Sequence, residues 1–136
     1  MKEMIKRVRE EKGGFTLAEL LIVVAIILVL VAIAIPVFTG AQNSAKEATH
    51  DANIRAAKSA TMVYVLENNV DLGTTNKAYE AKGKVSDKGD IAITGVIGVT
   101  AAGEDKLGDT GAKTETTGPF TVYLTDTEVP APPKQP

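Results

Sequence analysis

Between Phe15 and Phe38 the chain reads FTLAELLIVVAIILVLVAIAIPVF, 24 residues that carry one charge, Glu19. A run of this kind constrains the chain before anything else does. Roughly 20 apolar residues, rising 1.5 Å each, cross a hydrocarbon core of about 30 Å. Glu19 is the difficulty, because a carboxylate at the centre of a membrane helix costs roughly 2.5–3.5 kcal/mol on insertion scales. Near the start of the helix it needs an escape to the interface or a partner. Ahead of the run, Met1–Gly14 holds five basic and three acidic residues. Under the positive-inside rule this leader stays cytoplasmic and the segment after Phe38 lies outside. A secretory signal places its small residues after the apolar core. Here Gly13 and Gly14 precede it, so a cut between Gly14 and Phe15 would remove the charged leader and keep the helix. A plain uncleaved anchor is the alternative.

The 136 residues carry a formal charge of −2, and with the basic leader set aside the remainder is mildly acidic. That argues against bulk electrostatic binding of nucleic acid. No cysteine is present, which removes disulfide staples, thiol catalysis and Cys-ligated metals. Under a hundred residues follow the apolar run, enough for one small core.

Gly14-Phe15-Thr16-Leu17-Ala18-Glu19-Leu20, then an Ile/Val/Leu/Ala run and Ile35-Pro36, resembles the type IV pilin and pseudopilin superfamily over about residues 13–45. The resemblance implies an α+β, pilin-like fold: a long N-terminal helix with a small antiparallel β-sheet packed on its C-terminal half. It also implies cleavage after Gly14 by a prepilin peptidase, methylation of the new Phe15 amine, and polymerisation into a helical filament by membrane-bound assembly machinery. In that setting the Glu19 carboxylate neutralises the Phe15 amine of a neighbouring subunit. Such a pair gains Coulomb attraction and costs desolvation, and its value lies in setting the register of a featureless apolar helix. Leu28 stands where the family often has glycine. Pro36 removes a backbone donor and either kinks or locally frees the helix.

The rest of the chain fits this plan. Residues 1–14 are the leader, 15–38 the membrane and filament-core helix, 39–69 its amphipathic second half, 70–129 a β-rich head and 130–136 a Pro-rich tail. One helix is expected from about Thr16 to Leu66, disturbed near Pro36–Gly40, and about fifty residues at 1.5 Å make it roughly 75 Å long. Ala41, Ala45, Ala48, Ala52, Ala56 and Val63 share one side, suited to close approach of another helix or a sheet. Residues 71–76 form a loop. Strands are expected at Ile91–Val99, where Gly95 and Gly98 imply a bulge or a turn between two short strands. Phe120–Thr125 alternates cleanly. Weaker strands lie near Tyr79–Val85 and Lys113–Thr117, and 101–111 is a polar loop.

Little else points to chemistry. His50, beside Asp51, is read as part of a solvated helix face, since a metal needs several converging ligands. Asp87, Asp90, Glu104, Asp105 and Asp109 match no EF-hand spacing. No catalytic residues, metal or cofactor are expected. The sequence points to a non-enzymatic structural subunit, held first in the cytoplasmic membrane and then in an extracellular pilus, for adhesion, motility or DNA uptake. A pseudopilin of a secretion or competence system is the alternative.

Overall fold

The computed structural model describes residues 14, 16–70, 76–125 and 127–129. The leader through Gly13, Phe15, the loop residues 71–75 and the tail from Pro130 lie outside the described residues. One helix, α1, spans Leu17–Glu67. Four strands follow: β1 Ala78–Val85, β2 Ile91–Val99, β3 Lys106–Leu107 and β4 Gly118–Thr125. The chain divides into two compact units, Met1–Ala41 and Gln42–Pro136.

In the first unit α1 is apolar on every side and buries nothing. Its large aliphatic residues from Leu17 to Phe38 are 44–78% exposed. The helix continues without interruption through Pro36 and Gly40, so the melting considered as one option for Pro36 is not the state of the isolated chain. The Thr39 hydroxyl donates back to the Ile35 carbonyl at 2.9 Å, local side-chain bonding of the kind found in distorted helices.

In the second unit a four-stranded antiparallel sheet, in the order β2-β1-β4-β3, carries the core. Alternation puts Ala81, Val85, Phe120 and Val122 on its inner face. There they cluster with Ala57 and Leu107, while Val65, Tyr79, Leu124 and Val129 form a second cluster. One of the two weaker expected strands, β1, proves to be central and pairs along its length with β2 and β4. Its alternating residues, AYEAKGKV, include two lysines and a glutamate on the solvent side, which dilute the apolar signal. Gly83 is required by space. A Cβ there would collide with the Ala92 carbonyl and the Phe120 ring.

Three expectations need correction. Ala41, Ala45, Ala48, Ala52 and Ala56 are exposed, and so is Val63. The side of α1 facing the sheet is instead His50, Ile54, Ala57, Thr61 and Val65. At about 100° per residue these lie nearly opposite the alanines. The buried stripe was hidden because it includes polar His50 and Thr61, and because Ala favours a helix wherever it faces. Of the two options for β2, the bulge is the one observed, within a single strand: Lys82 pairs with Gly95 but Gly83 with Ile93. This leaves Thr94 as the extra residue, its hydroxyl donating to the Lys82 carbonyl at 2.9 Å. Second, Lys113–Thr117 is not a strand. The fourth strand is the two-residue β3, inside the expected loop 101–111, pairing with Phe120 and Thr121 of β4.

Within residues 101–118 Leu107 alone joins the apolar core, and the rest of the segment is tied down by polar contacts. Lys58 on α1 pairs with Asp105 at 2.8 Å, and the other Asp105 oxygen accepts the Tyr123 N–H at 2.8 Å. Asn53 donates to the Thr116 carbonyl at 2.6 Å. The third correction is His50: read from sequence as solvated, it is 6% exposed, and its Nδ1 donates to the Glu115 carbonyl at 2.8 Å. It is a core histidine with a backbone partner. The Glu115 carboxylate in turn receives the N–H and hydroxyl of Thr110 at 3.1 and 3.0 Å, and the Ala112 N–H at 3.3 Å. Desolvation pushes this carboxyl up, but the bonds from Thr110, Ala112 and Gly111 together outweigh it and hold it below its ordinary value. Gly108 and Gly111, with φ of 87° and 70°, supply the left-handed turns that aim these amides at Glu115.

Candidate functional site

Of the residues singled out for processing and assembly, Gly14 and Glu19 lie at the start of α1, Pro36 lies within the helix, and Phe15 is outside the described residues. Gly14 and Thr16 precede the helix, which begins at Leu17. The Thr16 carbonyl accepts the Leu20 N–H at 3.1 Å, so Thr16 is the cap residue of the helix. Its hydroxyl accepts the Glu19 N–H at 3.2 Å. The Glu19 carboxylate reaches back and accepts the Thr16 N–H at 2.8 Å and the Thr16 hydroxyl at 3.0 Å. This is a reciprocal capping box. The T-x-x-E spacing signals it directly, and Thr16 is the residue that a reading centred on Glu19 passes over. A negative group at a helix N-terminus also meets the positive end of the helix dipole. The carboxylate is therefore held at the end of the apolar helix, within one residue of the Phe15 amide nitrogen along the chain. The ion pairs among the described residues, Lys58–Asp105 and Lys82–Glu80, both lie in the second unit.

Beyond the cap, α1 is long and apolar enough to cross a membrane, and none of its apolar window is buried within the chain. Leu28 sits inside it, 63% exposed. Pro36 and Phe38 lie at the distal end of the run, with Phe38 64% exposed. The geometry provides one carboxylate fixed at the helix end and an aliphatic surface that stays exposed among the described residues.

The second unit adds a polar groove of about 400 Å³ on the outer face of the sheet, lined by Glu80, Lys82, Glu104, Lys106, Thr121 and Tyr123. Tyr123 donates its hydroxyl to Glu80 at 2.8 Å, and Lys82 pairs with the other Glu80 oxygen at 2.8 Å. The hydrogen bond from Lys82, then that from Tyr123, hold the Glu80 carboxyl below its ordinary value. Among the described residues no three His, Asp or Glu side chains converge as a metal site. Asp105 is committed to Lys58 and Tyr123.

Comparison with known proteins bears on the same segment. The prokaryotic N-terminal methylation motif matches residues 11–35, a span that contains Gly14, Phe15, Thr16 and Glu19. Prepilin peptidase-dependent protein A of Clostridium perfringens (strain 13 / Type A) is 31% identical over 101 residues, covering 74% of this chain and 67% of that protein. No solved structure matches the chain. The similarity to the Clostridium protein spans 101 residues and so extends well past the N-terminal motif. The chain belongs to the type IV pilin and pseudopilin superfamily.

Proposed function

We propose that the chain is the structural subunit of a type IV pilus, a major pilin. Its activity is assembly, not catalysis. A prepilin peptidase cuts between Gly14 and Phe15, the Phe15 amine is methylated, and the mature subunit waits in the cytoplasmic membrane. Assembly machinery then lifts it into a homopolymer whose core is the bundled residues 15–38, with the amphipathic second half and the β-rich head outside. The extracellular filament serves adhesion, motility or DNA uptake. No nucleic-acid contact on this subunit is part of the proposal.

One observation carries this reading: a carboxylate held by Thr16 at the mouth of an otherwise wholly apolar helix, in a chain whose family is processed there. For a mere anchor the carboxylate caps the helix, a task that neutral Gln or Asn could do without the cost of bringing a charge to the membrane. For an assembling subunit it is the partner of a newly made amine, and it sets how far one helix slides along the next. Large aliphatic side chains are worth about 1.5–3 kcal/mol each when shielded from water, so the bundle is stable once extracted. Glu19→Ala is predicted to leave cleavage intact while surface filaments are lost. Normal filaments from that variant would remove the register role. Filaments that stop within the envelope, with none extending from the cell surface, would establish the pseudopilin reading instead.

A further inference from the structure

Among the described residues β2 lies at one edge of the sheet, and its nine residues, IAITGVIGV, carry no charge. Soluble proteins blunt such edges with charge, proline, a bulge or short length, because an unpaired strand templates another. The opposite edge obeys: β3 has two residues and includes Lys106. β2 has its bulge at Thr94, before its C-terminal half. From Gly95 to Val99 the register against β1 is regular, so this half presents a straight edge. Within it Ile97 lies opposite Glu80, on the solvent side of the sheet, and is 57% exposed.

We infer that the edge of β2 is a self-association surface, occupied by β2 of a second copy of this chain in an antiparallel pair. Other occupants fit less well. The seven residues after Val129 include four prolines, which cannot donate to a ladder. Residues 71–75 are a five-residue connection between α1 and β1. The leader is charged and, on the proposed function, is cut away. A foreign peptide recognised by charge finds no counter-charge along the strand. Two copies of an uncharged strand need only each other's backbone. When the two-fold axis passes near Ile97, the two Ile97 side chains become cross-strand neighbours and cover one another.

Symmetry then says where the pair forms. Heads along one filament are related by rotation and rise, whereas this contact is isologous and needs a two-fold axis. A head-to-tail contact along one filament would need a matching long edge, and β3 is too short to give it. The contact therefore joins heads on filaments lying side by side and produces lateral bundles. This last step rests on the filament reading, whereas the pair itself does not.

The test uses the mature full-length chain in detergent micelles, with sedimentation velocity and amide hydrogen exchange at rising concentration, alongside electron microscopy of filaments. Ile97→Lys is the variant. It puts a charge at an exposed site, so the head still folds, and it sets two lysines against each other in the pair. The wild type is expected to dimerise with Gly95–Val99 amides about tenfold slower to exchange, and Ile97→Lys to weaken the dimer about tenfold. Wild-type filaments bundle and variant filaments stay single. An oligomer unaffected by Ile97→Lys, or a monomer whose β2 amides stay unprotected at all concentrations, overturns the inference. If the dimer responds as expected but no filament forms, the pilus reading fails and the pairing stands. If filaments form but their bundling ignores Ile97→Lys, the pairing fails and the pilus reading stands.

Discussion

Gly83→Ala gives the sharpest check on the packing of the head. At Gly83 β1 passes beneath the Phe120 ring, and an added Cβ overlaps both that ring and the backbone carbonyl of Ala92 on β2. Neither can yield easily. Phe120 is 3% exposed and belongs to the main core cluster, and the Ala92 carbonyl belongs to a strand paired with β1. Overpacking of a core typically costs about 1–3 kcal/mol, and with a backbone atom among the obstacles the upper half of that range applies, about 2–3 kcal/mol. For a folded unit of this size each kcal/mol moves the midpoint by about 4–8 °C, so calorimetry of the mature chain in detergent should show a midpoint lower by about 10–20 °C. Phe120→Leu withdraws the ring atoms that meet the new methyl. Gly83→Ala and Phe120→Leu together should therefore cost less than the sum of the two, by about 1 kcal/mol or more. A Gly83→Ala midpoint within about 3 °C of wild type, or strict additivity with Phe120→Leu, would refute the argument.

Other outcomes follow from the same structure. Asn53→Ala removes the donor to the Thr116 carbonyl and should cost about 1–2 kcal/mol in denaturant unfolding, with hydrogen exchange quickening first in residues 106–118. His50→Ala should do the same through the Glu115 carbonyl, and a loop that keeps its protection in both variants would contradict the clasp. Glu80, Glu115 and Glu128 all lie below the ordinary carboxyl value of 4.5 in the folded head. Depressed carboxyls add stability above their unfolded value that is lost as pH falls through the folded values. Head stability should thus decline below about pH 4.5, and Glu115→Gln should flatten that decline. Tyr123 is raised above 10 by its bond to Glu80 and by desolvation. Its contribution should be present below pH 10 and fade as the phenol ionises, as spectrophotometric titration against stability would show.

How much of this was legible depends on which residues spoke with one voice. Phe15–Phe38 is nearly all aliphatic, so length and hydropathy sufficed for the helix. Phe120–Thr125 alternates without exception, and β4 followed. The α+β plan came with the motif resemblance and is the fold observed. The sheet-facing side of α1 was illegible, because a buried histidine and a buried threonine interrupt the apolar stripe and exposed alanines imitate one. Thr61 is tolerated there because its hydroxyl returns to the Ala57 carbonyl at 2.8 Å, a bond no hydropathy pattern records. β3 is too short to have a period, and its two residues are placed by β4 and by the turns at Gly108 and Gly111. At the processing end the opposite holds. Gly14, Phe15 and Glu19 stood out, but Thr16 did not, although T-x-x-E is a signature of a helix start. Seen with Thr16, Glu19 is less a misplaced charge than one fixed at the helix mouth.

On the proposed function the apolar helix begins, in the working protein, at a new N-terminus beside that carboxylate. Mass spectrometry of the chain sheared from intact cells tests this most directly. The expected result is a polypeptide starting at Phe15 with one added N-methyl group, recovered from filaments. A chain that still carries Met1–Gly14 would contradict it.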